Sequence, residues 1–392
     1  MDLKKINLTW LSVGFIAFAF TFYVISHLFT GHPTVQSRIP SQVGLQPPVE
    51  LGEIWTPQNE SHTEKITQMI AAGLEKRTGS SSTMKRDAHP KHHGCVMAHF
   101  ETDPNALPPA QRVGIFAPSQ PKIFQAWIRF SNGDPDPNKS DAEGDVRGMA
   151  IKLMNVKGSE SGSQDILLMN SKSFFIRDTG EYLDLMEALE GKISILFFAL
   201  THSRFREVIG AAKAMKVGNP LDLDYFSATP YKLGNIAVKW SAKSCTPVSE
   251  KSLPPDQPSQ NFLGERLAET LEKQGTCFEF QAQLQNPNAN MPVEDPTVEW
   301  NENQSRYTTI AKIHIPVQQN IRSPEMMRFC ENLSFNPWRT LSQQRPLGAI
   351  NRVRLSTYKH ISEKRHLYNN LPLIEPTNFN PCDGETKLLC QQ

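Results

Sequence analysis

The chain opens on one long apolar run and then changes character. From Leu8 to Thr30, LTWLSVGFIAFAFTFYVISHLFT runs for 23 residues with no charged side chain apart from His27. A helix needs about 20 apolar residues to cross a bilayer core, so one transmembrane helix is predicted over residues 8–30. A cleaved signal peptide has a shorter apolar stretch and a small-residue cleavage site, and no A-x-A pattern follows here. A buried core helix fits poorly with aromatic and β-branched residues on every face. Lys4 and Lys5 precede the run, and the next Lys or Arg after it is Arg38. Residues 1–7 are therefore expected in the cytoplasm and the rest on the non-cytoplasmic side, the periplasm if the source is bacterial.

Residues 31–60 carry Pro, Gly and Gln without apolar periodicity and read as a spacer. A helix capped by Ser61 or Thr63 and reaching about Arg77 follows, with Ile66, Met69, Ile70 and Leu74 on one face. Strand-like runs cover 93–101, 124–130, 149–155, 165–170, 236–240, 278–285 and 307–317, many separated by turn residues. Residues 181–189, 193–215 and 348–368 read as helices. The pattern predicts an α+β body over residues 61–368: an antiparallel β-barrel with helices packed outside it. Residues 369–392 form a C-terminal tail.

Composition changes little in this picture. The 392 residues carry 41 basic and 40 acidic side chains, a formal charge of +1, which gives no basic stripe for nucleic acid. Export makes the six cysteines of interest. Cys382 and Cys390 suit a small loop, Cys245 and Cys277 flank a Pro-rich segment, and free thiols fit equally well. No CxxC pair points to a zinc ribbon.

Candidate chemistry is concentrated in a few segments: Arg86-Asp-Ala-His89-Pro-Lys91, Arg129-Phe-Ser131-Asn-Gly133, Asp145-Val-Arg-Gly-Met-Ala150, Phe174-Phe-Ile-Arg-Asp178, Phe335-Asn-Pro-Trp338 and Arg354-x-x-x-Tyr358 with Arg365 beyond. On a helix, Arg354, Tyr358 and Arg365 fall within about 40° of one another. One face then holds a phenol between two guanidinium groups. A neighbouring cation favours the phenolate, a good ligand for ferric iron. Taken alone, the same face reads more readily as a solvated Arg-Tyr-Arg surface. His89, His92 and His93 suggest an H-x-x-H-H metal site, but strand alternation turns His92 and His93 to opposite faces. Cys95 reads as a packed thiol, and Met149, Met154 and Met169 as core filling.

In order and spacing these segments resemble the catalase superfamily over roughly residues 85–366. The resemblance implies a catalase-like barrel binding haem b, with Tyr358 as iron ligand and Arg354 holding it as phenolate. It makes His89 the acid-base group above the haem, with Ser131 as its hydrogen-bond partner. Arg86, Arg129 and Arg365 pair with the propionates, and Tyr182 stacks on the haem. The implied activity is haem-dependent breakdown of hydrogen peroxide by catalase or peroxidase chemistry, with room for a homo-oligomer. Three departures accompany it. Met169 stands where catalases place an Asn, which leaves Asn170, one residue on, as the candidate for that role. Ala88 replaces a larger residue, and no C-terminal helical domain follows. An allene-oxide-forming enzyme of lipid hydroperoxides and a non-catalytic haem-binding protein are the alternatives.

Overall fold

In a computed structural model, residues 46–245 and 253–391 are described. The anchor expected over residues 8–30 and the first half of the spacer, residues 31–45, lie outside them. Among the described residues no helix is long and apolar enough to cross a membrane.

The strands are β1 (His92–Thr102), β2 (Ile123–Asn132), β3 (Arg147–Met154), β4 (Ser163–Met169), β5 (Tyr225–Phe226), β6 (Tyr231–Leu233), β7 (Ile236–Ser244), β8 (Thr276–Leu284) and β9 (Thr308–Ile315). They join in the order β5-β4-β3-β2-β1-β9-β8-β7-β6, and β5 also pairs with β7 through Tyr225↔Ala242 and Phe226↔Ser241. Eight antiparallel strands therefore close into a barrel, and β6 lies beside the first part of β7. This is the expected α+β barrel.

Alternation along the strands divides inside from outside. Val96, Ala98 and Phe100 of β1, Phe124, Ala126, Ile128 and Phe130 of β2, and Met149, Ile151 and Leu153 of β3 fill the interior. Each large apolar side chain buried there contributes about 1.5–3 kcal/mol. The residues between them point outward, and seven helices cover much of that surface among the described residues. They are α1 (Pro57–Thr78), α2 (Thr179–Leu189), α3 (Ile195–Thr201), α4 (Ser203–Ala214), α5 (Phe262–Lys273), α6 (Pro324–Asn332) and α7 (Ala349–Tyr368).

Several boundaries differ from expectation. Helix α1 starts at Pro57, not near Ser61, because Thr56 and Asn59 form a reciprocal capping box and Pro57 pre-sets the first helical φ. Residues 46–56 are pinned to the body instead of hanging free. Buried Glu53 accepts from Arg345 Nη2 at 2.7 Å and Arg352 Nη2 at 2.9 Å, and the Pro47 carbonyl accepts from Arg352 Nη1 at 2.7 Å. The helix expected over 193–215 breaks at His202, whose backbone leaves the helical region and whose ring stacks on Phe198.

The C-terminal tail is also packed. Glu375 accepts from Lys152 Nζ at 2.5 Å, and Leu389 joins the apolar layer around Trp127 and Phe329. Of the pairings and free thiols that the sequence left open, the pairs form: Cys245–Cys277 and Cys382–Cys390. Cys95 is not a packed thiol: it points outward from β1 onto α6 and is bonded to Cys330, with the Cα atoms 5.4 Å apart.

Candidate active site

The outer face of β2, β3 and β4 builds one wall of the site. Register places Ser131, Gly148, Met169 and Phe226 in one cross-strand row. His89, just before β1, reaches this row. Its backbone takes φ 58°, a left-handed conformation that an L-residue holds only under tertiary constraint. The constraint is visible: the His89 carbonyl accepts from Arg129 Nη2 at 2.8 Å, and its amide donates to the Gly133 carbonyl at 3.4 Å. The imidazole Nδ1 lies 3.0 Å from Ser131 Oγ, and Gly148 leaves room for the ring.

Burial, then the cations of Arg129, Arg354 and Arg86, push His89 down to about 4, partly opposed by the Asn132 backbone. The ring is therefore neutral near pH 7. With its proton on Nδ1, directed at Ser131, Nε2 is free to accept one.

The opposite wall comes from α7. Arg354 and Tyr358 are one turn apart, and Arg354 Nη2 donates to Tyr358 Oη at 3.3 Å. The guanidinium carbon lies 5.2 Å from the phenol ring centre. Arg354 is raised above the usual arginine range; burial works against the shift, and Tyr358, Tyr231 and Tyr182 outweigh it. Tyr182 is half-buried beside Asp87, Tyr358 and Arg354, and its loss of solvent raises its phenol. The charge of Tyr358 also bears on Arg86, and that of Arg354 on His89. The two walls therefore face one site.

Three arginines gather at its edge. Arg86 Nη2 donates to the Glu331 carbonyl at 2.9 Å and to the Leu333 carbonyl, and Arg365 Nη1 donates to the Glu331 carbonyl at 2.9 Å. Both thus sit at the C-terminal end of α6, a favourable place for a cation. That end does not discharge the cluster. Burial and then Arg86 lower Arg365 to about 9, and burial, Arg86 and Arg365 lower Arg129, in both cases partly opposed by the nearby Glu331 carboxylate. Among the described residues no carboxylate forms an ion pair with Arg86, Arg129 or Arg365, and the Nε atoms of Arg86 and Arg129 are buried without a partner. Buried cations in this state call for anions. A group carrying two carboxylates and a metal that takes a phenolate, as haem does, fits this donor set.

Most of the expected site residues therefore converge: His89, Ser131, Arg86, Arg129, Tyr182, Arg354, Tyr358 and Arg365. Asn170 does not. Its Oδ1 accepts from the Arg147 amide at 2.7 Å and its Nδ2 donates to Met215 Sδ at 3.2 Å. One residue beyond Met169, alternation turns it off the row that meets His89. The remaining histidines also part company: His92 faces Glu331 at 3.7 Å and His93 faces Asp141 at 3.7 Å.

Gly148 lies against His89, Asn351 against Arg354 and Trp338 against Asn351, contacts that the sequence did not disclose. Trp338 Nε1 donates to the Asn351 carbonyl at 2.7 Å, so the Phe-Asn-Pro-Trp segment braces the start of α7.

Comparison with known proteins agrees with this geometry. A family model described as catalase matches residues 83–194. The chain is similar to a catalase-related peroxidase of Mycolicibacterium paratuberculosis (strain ATCC BAA-968 / K-10), 26% identical over an alignment of 196 residues that covers 46% of this chain and 59% of that protein. The match thus spans less than two thirds of that curated relative. Among solved structures, a fungal catalase shares 17% identity at a TM-score of 0.61, covering 90% of this chain and 71% of its own. Catalase A from Saccharomyces cerevisiae shares 17% identity at 0.61, with 90% and 73% covered. At such identities the likeness is one of fold.

Proposed function

We propose that this chain, which belongs to the catalase superfamily, binds haem b and consumes peroxide with it. The observation that carries the reading is the pairing of Arg354 with Tyr358 across one site from a neutral His89 held by Ser131. Tyr358 Oη is the iron ligand, and Arg354 Nη2 donates to that oxygen. Arg86, Arg129 and Arg365 hold the two propionates, which supply the anions the cluster lacks. When bound, haem supplies the iron at which the peroxide O–O bond is broken. His89 Nε2 takes the proton of the incoming peroxide and returns it to the departing oxygen, while Ser131 keeps the imidazole oriented. Burial holds His89 well below its ordinary range of protonation, so the ring needs no deprotonation at neutral pH before it can act.

One observation favours organic or lipid hydroperoxides over hydrogen peroxide as the preferred substrate. The row beside His89 presents the apolar thioether of Met169 and no amide. A second hydrogen peroxide has few polar groups to order it there, whereas an alkyl group finds an apolar wall. Three disulfides support a body on the non-cytoplasmic side, tethered through residues 8–30.

Oxygen release from hydrogen peroxide by the haem-loaded chain tests the reading, with Tyr358→Phe alongside. Rapid release lost in the variant establishes catalase turnover. A ferric-phenolate spectrum without oxygen release, together with turnover of cumene or linoleate hydroperoxide, assigns the activity to organic substrates. A chain that binds no haem, or is inert to every peroxide, refutes both. Retention in membranes after carbonate washing tests the tether.

A further inference from the structure

We propose that Asn351 is a positioning residue that aims the Arg354 guanidinium at Tyr358 Oη without discharging it, and that Thr229 supports Asn351. The proposal rests on the reading of Tyr358 as iron ligand.

Asn351 lies in the first turn of α7 and is fully buried. Its Nδ2 donates to the Leu347 carbonyl at 2.8 Å and to the Pro230 carbonyl at 3.0 Å. Two carbonyl partners fix this end of the amide as the nitrogen, so the other end is an acceptor. That oxygen, Oδ1, accepts from Arg354 Nη1 at 3.0 Å and lies 3.1 Å from Thr229 Oγ1. Thr229 Oγ1 is also 3.3 Å from the Ser227 carbonyl, so its single proton is shared between the two. The Asn351 carbonyl is held by Trp338. Every hydrogen-bonding group of the Asn351 amide is therefore in use, and its orientation is determined from four sides.

The consequence falls on Arg354. Three residues on, its Nη1 is tied back to Asn351, which leaves Nη2 pointing one turn further along the helix, at Tyr358. An unanchored arginine in this place would have several rotamers. Tyr231 Oη is buried beside this guanidinium and would compete for it.

The choice of an amide matters as much as its geometry. Arg352, two residues earlier, is paired with the Glu53 carboxylate, and Arg345 shares the same carboxylate. Arg354 forms no ion pair with any carboxylate among the described residues; its neighbours are an amide and three phenols. A carboxylate at position 351 would draw the guanidinium to itself and cancel its field at Tyr358. The neutral amide directs the cation and leaves its charge available to the ligand oxygen.

The test uses the full-length chain loaded with haem, as wild type, Asn351→Ala, Asn351→Asp and Thr229→Val. Haem bound per chain, haem affinity, the ferric-phenolate charge-transfer absorption at pH 7 and the unfolding temperature are measured. Both Asn351 variants are expected to bind haem at least tenfold more weakly or to lose at least half of the phenolate absorption. Thr229→Val is expected to fall between them and wild type. A folded Asn351 variant with wild-type absorption and affinity overturns the proposal. If neither Asn351 variant folds, Thr229→Val decides: a weakened band supports the proposal and an unchanged one overturns it. Wild type that takes up haem without a phenolate band refutes the ligand assignment instead. The side-chain NMR signal of Arg354 in the haem-free chain, assigned through Arg354→Lys, then settles the positioning. A resolved, slowly rotating guanidinium lost in Asn351→Ala supports it, and one unchanged in the variant overturns it.

Discussion

Gly148 lies against His89. A Cβ on this residue would stand 2.7 Å from both Nδ1 and Cε1 of the imidazole and 2.9 Å from Ser131 Oγ. The ring cannot retreat easily, because the His89 backbone is held by Arg129 and Gly133 on either side. Gly148→Ala should therefore turn the imidazole away from Ser131, costing about 1–3 kcal/mol in overpacking. Loss of the proton-transfer geometry should lower peroxide turnover by about 10²-fold or more. Haem uptake and the phenolate band, which depend on the other wall, should stay near wild type. Equal loss of haem and activity would mean that the residue supports the fold alone.

Met169 stands beside Gly148 in the same outward row, while Asn170 is turned away to Arg147 and Met215. Met169→Asn places an amide on the His89 side for the first time. The ratio of oxygen released from hydrogen peroxide to organic donor oxidised should rise about tenfold, read with an oxygen electrode and a dye assay on the same preparation. An unchanged ratio would show that this position does not decide between the two reactions.

These two positions also show how far the sequence could be read. Barrel strands were legible where inward residues alternate cleanly, as in Phe124, Ala126, Ile128 and Phe130. Strands β5 and β6 have two and three residues, too few for any period, yet β5 closes the barrel. Helix α5 carries a stripe, Leu263, Leu267 and Leu271, but stands between Pro-rich and polar stretches that obscure its period. The site residues were legible as short motifs. Which of Met169 and Asn170 meets His89 was not, because that is a matter of register, and one residue reverses the face. The role of Asn351 was hidden for a similar reason: three of its partners, Thr229, Pro230 and Trp338, are remote in sequence or across a turn.

Acid should destabilise the protein in steps with identifiable origins. Burial lowers His93 to about 3, against the attraction of Asp141, and burial together with Arg365 lowers His366 to about 4. In the unfolded chain both return to about 6.5. Between these values the unfolded state binds more protons, so stability falls as pH falls from about 6.5 towards 4. Each group contributes a slope of up to about 1.4 kcal/mol per pH unit. A thermal unfolding series from pH 7.5 to 4.5 should show a steadily declining midpoint. A flat profile across that range would refute the assignment of these rings as neutral in the folded state.

Glu53 carries the attachment of residues 46–56. Its carboxylate meets Arg345 Nη2, Arg352 Nη2 and the Gly348 amide, all in buried surroundings. Burial alone would raise its pKa, but the two guanidinium groups outweigh it and hold the carboxyl below its ordinary range. Glu53→Gln leaves two buried cations short of their anion and should cost about 3–5 kcal/mol. Glu50, which is more exposed and pairs with Lys232, gives the contrast: Glu50→Gln should cost under about 1 kcal/mol. Urea denaturation of the two variants measures both. Equal small losses would mean that solvent reaches the Arg345–Arg352 pair freely.

The Cys95–Cys330 disulfide ties the site to the barrel by a route that the other two disulfides do not share. Cys95 lies on β1, one residue after Gly94, and Cys330 on the last turn of α6. The carbonyls that follow Cys330, those of Glu331, Asn332 and Leu333, receive Arg86 and Arg365. The bond therefore fixes the acceptors of two of the three arginines assigned to the propionates. Replacing both cysteines by Ala should cost about 2–5 kcal/mol. Freed from β1, the end of α6 should let both guanidinium groups wander, lowering haem affinity about tenfold while leaving the Tyr358 ligand signature intact in the chains that remain loaded. Removing Cys382–Cys390, which closes a separation of only 8 residues, should leave haem affinity within about twofold of wild type. Haem titrations of the two double variants, each at a temperature where circular dichroism shows it folded, separate the possibilities. Equal affinities would mean that Arg86 and Arg365 are held by their own packing and that the disulfide serves stability alone.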